Sequence, residues 1–188
     1  MVKIAFICEG ETEFIIVTSP SFRNFLQSNN LESVKEFDAT GNGNLLRHNI
    51  IPFDEACKAA GAEKIIVLCD LENYPCFTER KQSIDSGLPH IHVIAKRQIE
   101  AWFLADKEVM SSLLKHNFSE ADPEAIEVPF DRIDSLCKLH IQRGVGSSKI
   151  KFAKRMVGLG FDITKAANHT NCSSAKYFID KVLSLKGD

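Results

Sequence analysis

No Cys-x-x-Cys pair occurs among the six cysteines of this 188-residue chain, which stand at Cys8, Cys57, Cys69, Cys76, Cys137 and Cys172. A zinc ribbon, which needs thiolates paired at short spacing, is therefore not expected. Several of the six lie inside apolar runs, where a free thiol packs as a small hydrophobe, and that usage points to the reducing cytosol. No apolar run approaches the ~18 residues that cross a bilayer, so the expectation is a cytoplasmic protein with no membrane partner. Residues Met1 to Cys8 are as apolar as a short signal core but lack a small-residue cleavage site and run straight into acids, so they read as a buried first strand. Positive charge is also scarce: 23 Lys and Arg stand against 25 Asp and Glu, a net charge of -2. Proteins that hold nucleic acid by bulk charge are usually basic, so any phosphate contact must come from a local cluster. Internal repeats and low-complexity linkers are absent as well.

What the chain does have is a regular alternation. Apolar runs of strand length lie at 2–8, 64–69 and 91–95, with a weak, more polar one at 32–37, separated by helical spacing near 13–28, 45–60 and 76–86. This is the pattern of βαβ units in a mostly parallel α/β sheet flanked by helices. From Gln98 the pattern turns helical, at 98–116, 130–141, 148–158 and 173–185, broken by Gly144-Val145-Gly146-Ser147-Ser148 and Gly158-Leu159-Gly160. The organisation expected is an α/β core over residues 1–97 with a helical cap over 98–188 packed on the same domain, since a domain commonly runs to ~100–200 residues.

Two acidic motifs fall where such a sheet binds ligands, outside the carboxyl ends of its strands. Cys8-Glu9-Gly10-Glu11-Thr12-Glu13 follows the first strand and opens a helix. Gly10 suits a tight turn there and Thr12 can cap the helix. Glu11 and Glu13 are equally explained as helix-start acids favoured by the macrodipole, whereas Glu9 at the strand end gains little from it. Asp70-Leu71-Glu72 ends the most apolar strand, Ile65-Ile66-Val67-Leu68-Cys69. In an extended segment residues two apart face the same side, so Asp70 and Glu72 would converge on Glu9 and offer a hard-cation cage.

Other features divide between chemistry and packing. Glu100 lies in the apolar run Ile99-Glu100-Ala101-Trp102-Phe103-Leu104 and must be paired, metal-bound or at the helix's exposed start. Trp102 reads as core, and Asp106 and Glu108 as surface or hinge charges. Lys149, Lys151, Lys154 and Arg155 begin a helix on which 151, 154 and 155 share one face. They form either a solvated face or a phosphate-binding patch, with Lys149 or Lys151 placed to stabilise a charged transition state. Gly144 to Lys149 lacks P-loop spacing, so no nucleotide is expected there. His90 and His92 are a conceivable zinc pair, but without a third ligand they read as a half-exposed strand face.

Taken together, a strand ending in Glu9-Gly10-Glu11-Thr12-Glu13 and another ending in Asp70-Leu71-Glu72 resemble the Toprim domain shared by topoisomerases, primases and OLD-type nucleases. The segment Ile94-Ala95-Lys96-Arg97-Gln98-Ile99-Glu100-Ala101-Trp102-Phe103-Leu104-Ala105-Asp106 narrows this to small prokaryotic Toprim-like proteins, often encoded beside an ATPase in phage-defence loci. Gly41-Asn42-Gly43 and the lysines of 149–154 also fit. The resemblance implies a Toprim-like fold cutting DNA or RNA, with Glu9 in acid/base work and Asp70 on Mg²⁺ or Mn²⁺. Glu72, Glu13 and Glu100 would support the ion, Lys149 or Lys151 the reaction, and Lys151, Lys154 and Arg155 the nucleic acid, with an ATPase as partner protein. Glu72 stands where the wider family usually has Asp. The alternative is a binding module of the same fold that associates with an ATPase without chemistry; phosphoryl transfer on a small molecule is a third reading.

Overall fold

A computed structural model describes residues 1–186. Its centre is a four-stranded, all-parallel sheet of β1 (Val2–Cys8), β2 (Leu31–Asp38), β3 (Lys64–Asp70) and β4 (Ile91–Ala95), in the order β2-β1-β3-β4. β1, β3 and β4 fall on the apolar runs of the sequence, and β2 on its weaker, half-charged one. Alternate residues serve opposite faces. Ile4, Phe6 and Cys8 of β1 with Ile66 and Leu68 of β3 enter one core, and Ala5 and Ile7 with Ile65, Val67 and Cys69 enter the other.

The first core is covered by α1 (Glu11–Val17), α2 (Pro20–Ser28) and the carboxyl-half helices α5 (Glu100–Ala105), α6 (Lys107–Leu114), α7 (Pro129–Ile141), α8 (Lys149–Gly158), α9 (Ile163–Ala167) and α10 (Ser173–Leu183). The second lies under α3 (Ile51–Ala59) and α4 (Phe77–Ile84). The large cluster thus mixes side chains of the sheet with Trp102, Phe152 and Phe178 of the later helices. Phe178 stacks on both Phe22 and Trp102, at ring separations of 5.4 and 5.6 Å, joining the two halves of the chain. Among the described residues no helix is long and apolar enough to cross a membrane.

Several boundaries differ from the expected ones. The helix expected over 13–28 is two, because Ser19 caps a new helix with Pro20 in its first turn. The helix over 98–116 is also two: Asp106 leaves the helical conformation and accepts hydrogen bonds from the Glu108 and Val109 N–H groups. Asp106 is buried, not a surface charge, and its other carboxylate oxygen accepts from the Asp162 N–H at 3.0 Å. It fastens α6 to the start of α9, a five-residue helix too short to leave a periodic signature.

Candidate functional site

The chain runs from β1 to β2 on one side and then places β3 on the other, so the strand order reverses between β1 and β3. Ligands of open parallel sheets bind at such a switch point, beyond the carboxyl ends of the strands. Register sets the two acids there. Cys8 lies opposite Leu68, the Glu9 N–H donates to the Leu68 carbonyl at 2.9 Å, and the Asp70 N–H donates back to Glu9 Oε2 at 3.1 Å.

Glu9 is further held by Arg80 of α4, whose Nη2 lies 2.7 Å from the same Oε2. The Arg80 side chain is fully buried; its Nε donates to the Asp70 carbonyl at 2.9 Å and its Nη1 to Asn42 Oδ1 at 2.6 Å. Gly41, at φ +118, turns the chain so that its N–H reaches the Glu9 carbonyl at 2.7 Å and Asn42 follows at the guanidinium. Arg80 is a site residue that sequence alone does not mark. Nothing in Phe77-Thr78-Glu79-Arg80-Lys81-Gln82 distinguishes it from its solvated neighbours.

Around this pair the structure gathers Glu13 from α1 and Glu100 from α5. Glu13 is buried, and burial first, then the charges of Glu100 and Glu9, push its carboxyl up from 4.5 to about 8. Asp70 keeps part of its surface, yet packing around its carboxyl comes first among the causes that raise it well above the usual range, followed by Glu13, Glu100 and Glu9. Its Oδ1 accepts from the Ile99 N–H at 2.8 Å. Glu9 is raised by burial and opposed by Arg80 and the Asp70 N–H. Glu100 is 2% exposed: Oε1 meets Lys149 Nζ of α8 at 3.1 Å, while Oε2 is buried with no hydrogen-bond partner.

The other expected residues lie further out. Glu72 does not follow the strand alternation: the chain leaves the extended conformation, Glu72 sits at φ +48, and its exposed side chain lines a groove with Asn73, Arg97 and Glu127. Gly10 is extended at φ -146, a conformation open to any residue; it, not Thr12, occupies the cap position, and no side chain caps the helix. A Cβ there would stand 3.4 Å from Glu13 Oε2. On α8, Lys151, Lys154 and Arg155 are all exposed, and Lys154 pairs with Glu11 at 3.1 Å. The histidines are not a half-exposed face. His90 Nε2 meets buried Asp54 Oδ1 at 2.8 Å, and His92 is buried on β4.

Four carboxylates thus face two cations. With Glu9 matched to Arg80 and Glu100 to Lys149, the charges of Glu13 and Asp70 remain to be neutralised by protons or by a bound cation. All-oxygen donors and the partnerless Glu100 Oε2 suit a hard divalent ion. Among the described residues, no three His, Cys, Asp or Glu side chains are drawn close enough to enclose one. The donor chemistry fits a cation; the ligand sphere is not closed by protein alone.

No family model and no curated protein sequence matches the chain. Among solved structures, its fold is similar to the C-terminal region of the Burkholderia pseudomallei OLD protein, with a TM-score of 0.51, 15% identity, and coverage of 97% of this chain and 99% of that one. The likeness is one of fold, over essentially the whole of both chains.

Proposed function

We propose that the chain is a divalent-cation-dependent phosphodiesterase acting on DNA or RNA. The observation that carries this reading is the charge balance at the switch point, where buried acids outnumber the cations that face them. The fold likeness to an OLD protein region and the sequence resemblance to OLD-type nucleases point the same way.

Asp70 and Glu13 are the acids with unmatched charge and would hold Mg²⁺ or Mn²⁺, with Glu100 Oε2 and the exposed Glu72 at its margin. The ion, when bound, supplies polarisation of a phosphoryl oxygen and a more acidic water. Glu9 takes up a proton: both of its contacts engage Oε2, its carboxyl is shifted towards neutrality, and Oε1 is the oxygen for a water. Lys149, 42% exposed at its side chain, can turn from Glu100 towards developing negative charge, with Lys151 two residues on. Lys151, Lys154 and Arg155 offer an exposed cationic face for backbone phosphates.

The test is cleavage of mixed DNA and RNA with Mg²⁺ or Mn²⁺, with and without a candidate ATPase partner. Asp70→Asn should lower the rate at least ~100-fold, as expected when metal-borne charge stabilisation worth several kcal/mol is removed. A second reading, a non-catalytic module that pairs with an ATPase, draws on the two ion pairs that already occupy Glu9 and Glu100. Association with the ATPase but no cleavage with either ion would favour it.

A further inference from the structure

Along the edge strand β4, a cavity of about 280 Å³ lies between the starts of α4 and α10. It is lined by Phe77 and Lys81 of α4, His92 and Ile94 of β4, and Ser173 and Tyr177 of α10. His92 is the anomaly. It is 7% exposed, and both ring nitrogens are buried without a partner, although buried polar atoms are almost always hydrogen-bonded. His90, 6.2 Å away ring to ring, has Asp54; His92 faces the cavity instead.

The surroundings define what His92 can meet. Burial first, then His90, hold its pKa below 6.5, with Lys81 acting in the same direction and Asp85 against them. The ring is therefore neutral near pH 7 and offers one donor and one acceptor. Phe77 and Tyr177 are 43% and 45% exposed, two aromatic rings left to solvent beside one cavity. Lys81 lies one helical turn after Phe77, and Lys181 Nζ lies 5.3 Å from the centre of the Tyr177 ring. Ser174 is not free for a ligand. Its hydroxyl accepts from the Lys96 N–H and from Trp102 Nε1 and donates to Glu124.

We propose that this cavity binds a single nucleotide, its base against Phe77 and Tyr177 and hydrogen-bonded to His92, its phosphate on Lys81. A base presents donors and acceptors side by side on its edge and a flat face to aromatic rings, the combination by which unpaired nucleotides are held. The volume, near the lower end of the ~300–1,000 Å³ usual for small-molecule sites, suits one nucleotide and excludes a duplex. The source is a free mononucleotide or one residue of a single strand. The site shares α4 with Arg80, but none of its lining residues is an acid of the sheet edge.

Calorimetric titration of the full chain in EDTA separates the outcomes, with AMP, CMP, GMP and UMP as probes, alongside a single-stranded oligonucleotide, ribose 5-phosphate and inorganic phosphate. Mononucleotides or the oligonucleotide should bind, and Tyr177→Ala, Lys81→Met and His92→Leu should each weaken binding roughly 10-fold, as removal of one stacking or hydrogen-bonding partner does. Asp70→Asn should bind as the wild type does, whether or not the chain cleaves anything. Mononucleotide binding identifies the free ligand as the source, and binding of the oligonucleotide alone identifies the strand. Tyr177 and Lys81 are exposed, so those variants decide the matter if His92→Leu does not fold. The proposal is overturned if no nucleotide probe binds at millimolar concentration, if the variants bind unchanged, or if ribose 5-phosphate or phosphate alone binds as tightly.

Discussion

Glu124 and Glu100 are both buried, at 1% and 2% exposure, yet the protein treats them in opposite ways. Glu124, in the short 3₁₀ turn before α7, accepts four hydrogen bonds from the first turn of α10: the N–H and hydroxyl of Ser173 on one oxygen, and those of Ser174 on the other. Glu100 has one exposed lysine and an oxygen with no partner, among three more acids. A saturated carboxylate is part of the frame, since every donor around it would be orphaned by its removal. An unsaturated one among like charges is held there against its own preference, a strain that the proposed cation would relieve.

Truncating one carboxylate of each kind should separate their roles by the largest margin. Glu124→Ala should cost about 3 kcal/mol, ~10 °C in melting temperature, because it leaves two backbone N–H groups and two hydroxyls without their acceptor. In metal-free buffer Asp70→Asn should melt at or above the wild type, because it removes a charge that its neighbours oppose. Thermal melts of the pair test the distinction directly; a fall in Asp70→Asn as large as in Glu124→Ala would place both acids in the frame.

A smaller effect should appear with pH. Glu13 releases its proton near 4.5 when unfolded and near 8 when folded, so the folded chain holds the extra proton between those values. Its contribution is full below about 4.5 and is lost as pH rises through about 8. Melting temperatures in EDTA should therefore fall from pH 5 to pH 8. Glu13→Gln should flatten that slope, and saturating Mg²⁺ or Mn²⁺ should restore stability at the upper end by mass action. A slope unchanged in Glu13→Gln would mean that the proton sits elsewhere. The smallest change concerns α8. Replacing Lys151, Lys154 and Arg155 with Ala should leave the melt alone and reduce the salt dependence of nucleic-acid binding by ~0.7–0.9 log unit for each phosphate no longer neutralised. An unchanged salt slope would return the face to ordinary solvation, or to an ATPase interface if that association disappears instead.

Three strands are legible as apolar runs closed by an acid or a polar turn, and β2, half of it charged, only faintly so; Glu9 and Asp70 are legible because they stand at such closures. Glu13 and Glu100 could be marked only as ambiguous, since an acid at a helix start looks alike whether it faces water or a buried neighbour. Arg80 and Glu124 carry no signal in the sequence, because their partners lie at least ten residues away on other elements and their local sequence is that of an exposed helix or turn. Asp106 reads as a surface or hinge charge; it caps its own helix through Glu108 and Val109, and what the sequence does not show is its distant partner, the Asp162 N–H. Glu72 leaves the face expected for it because alternation holds only while the chain stays extended, and it stops being extended there.

Arg80 has a consequence for how this edge comes into being. Its guanidinium joins groups 10, 38 and 71 residues away along the chain, so the acidic edge cannot be assembled by any local segment. Contacts of such separation close late, after their loop entropy has been met. Until β1, the Asn42 turn and β3 are all in place, Arg80 has no buried position it can tolerate. The guanidinium thus ties Glu9's charge balance to the threading of the whole sheet, since its three partners meet only when β1, the Asn42 turn and β3 are all in place.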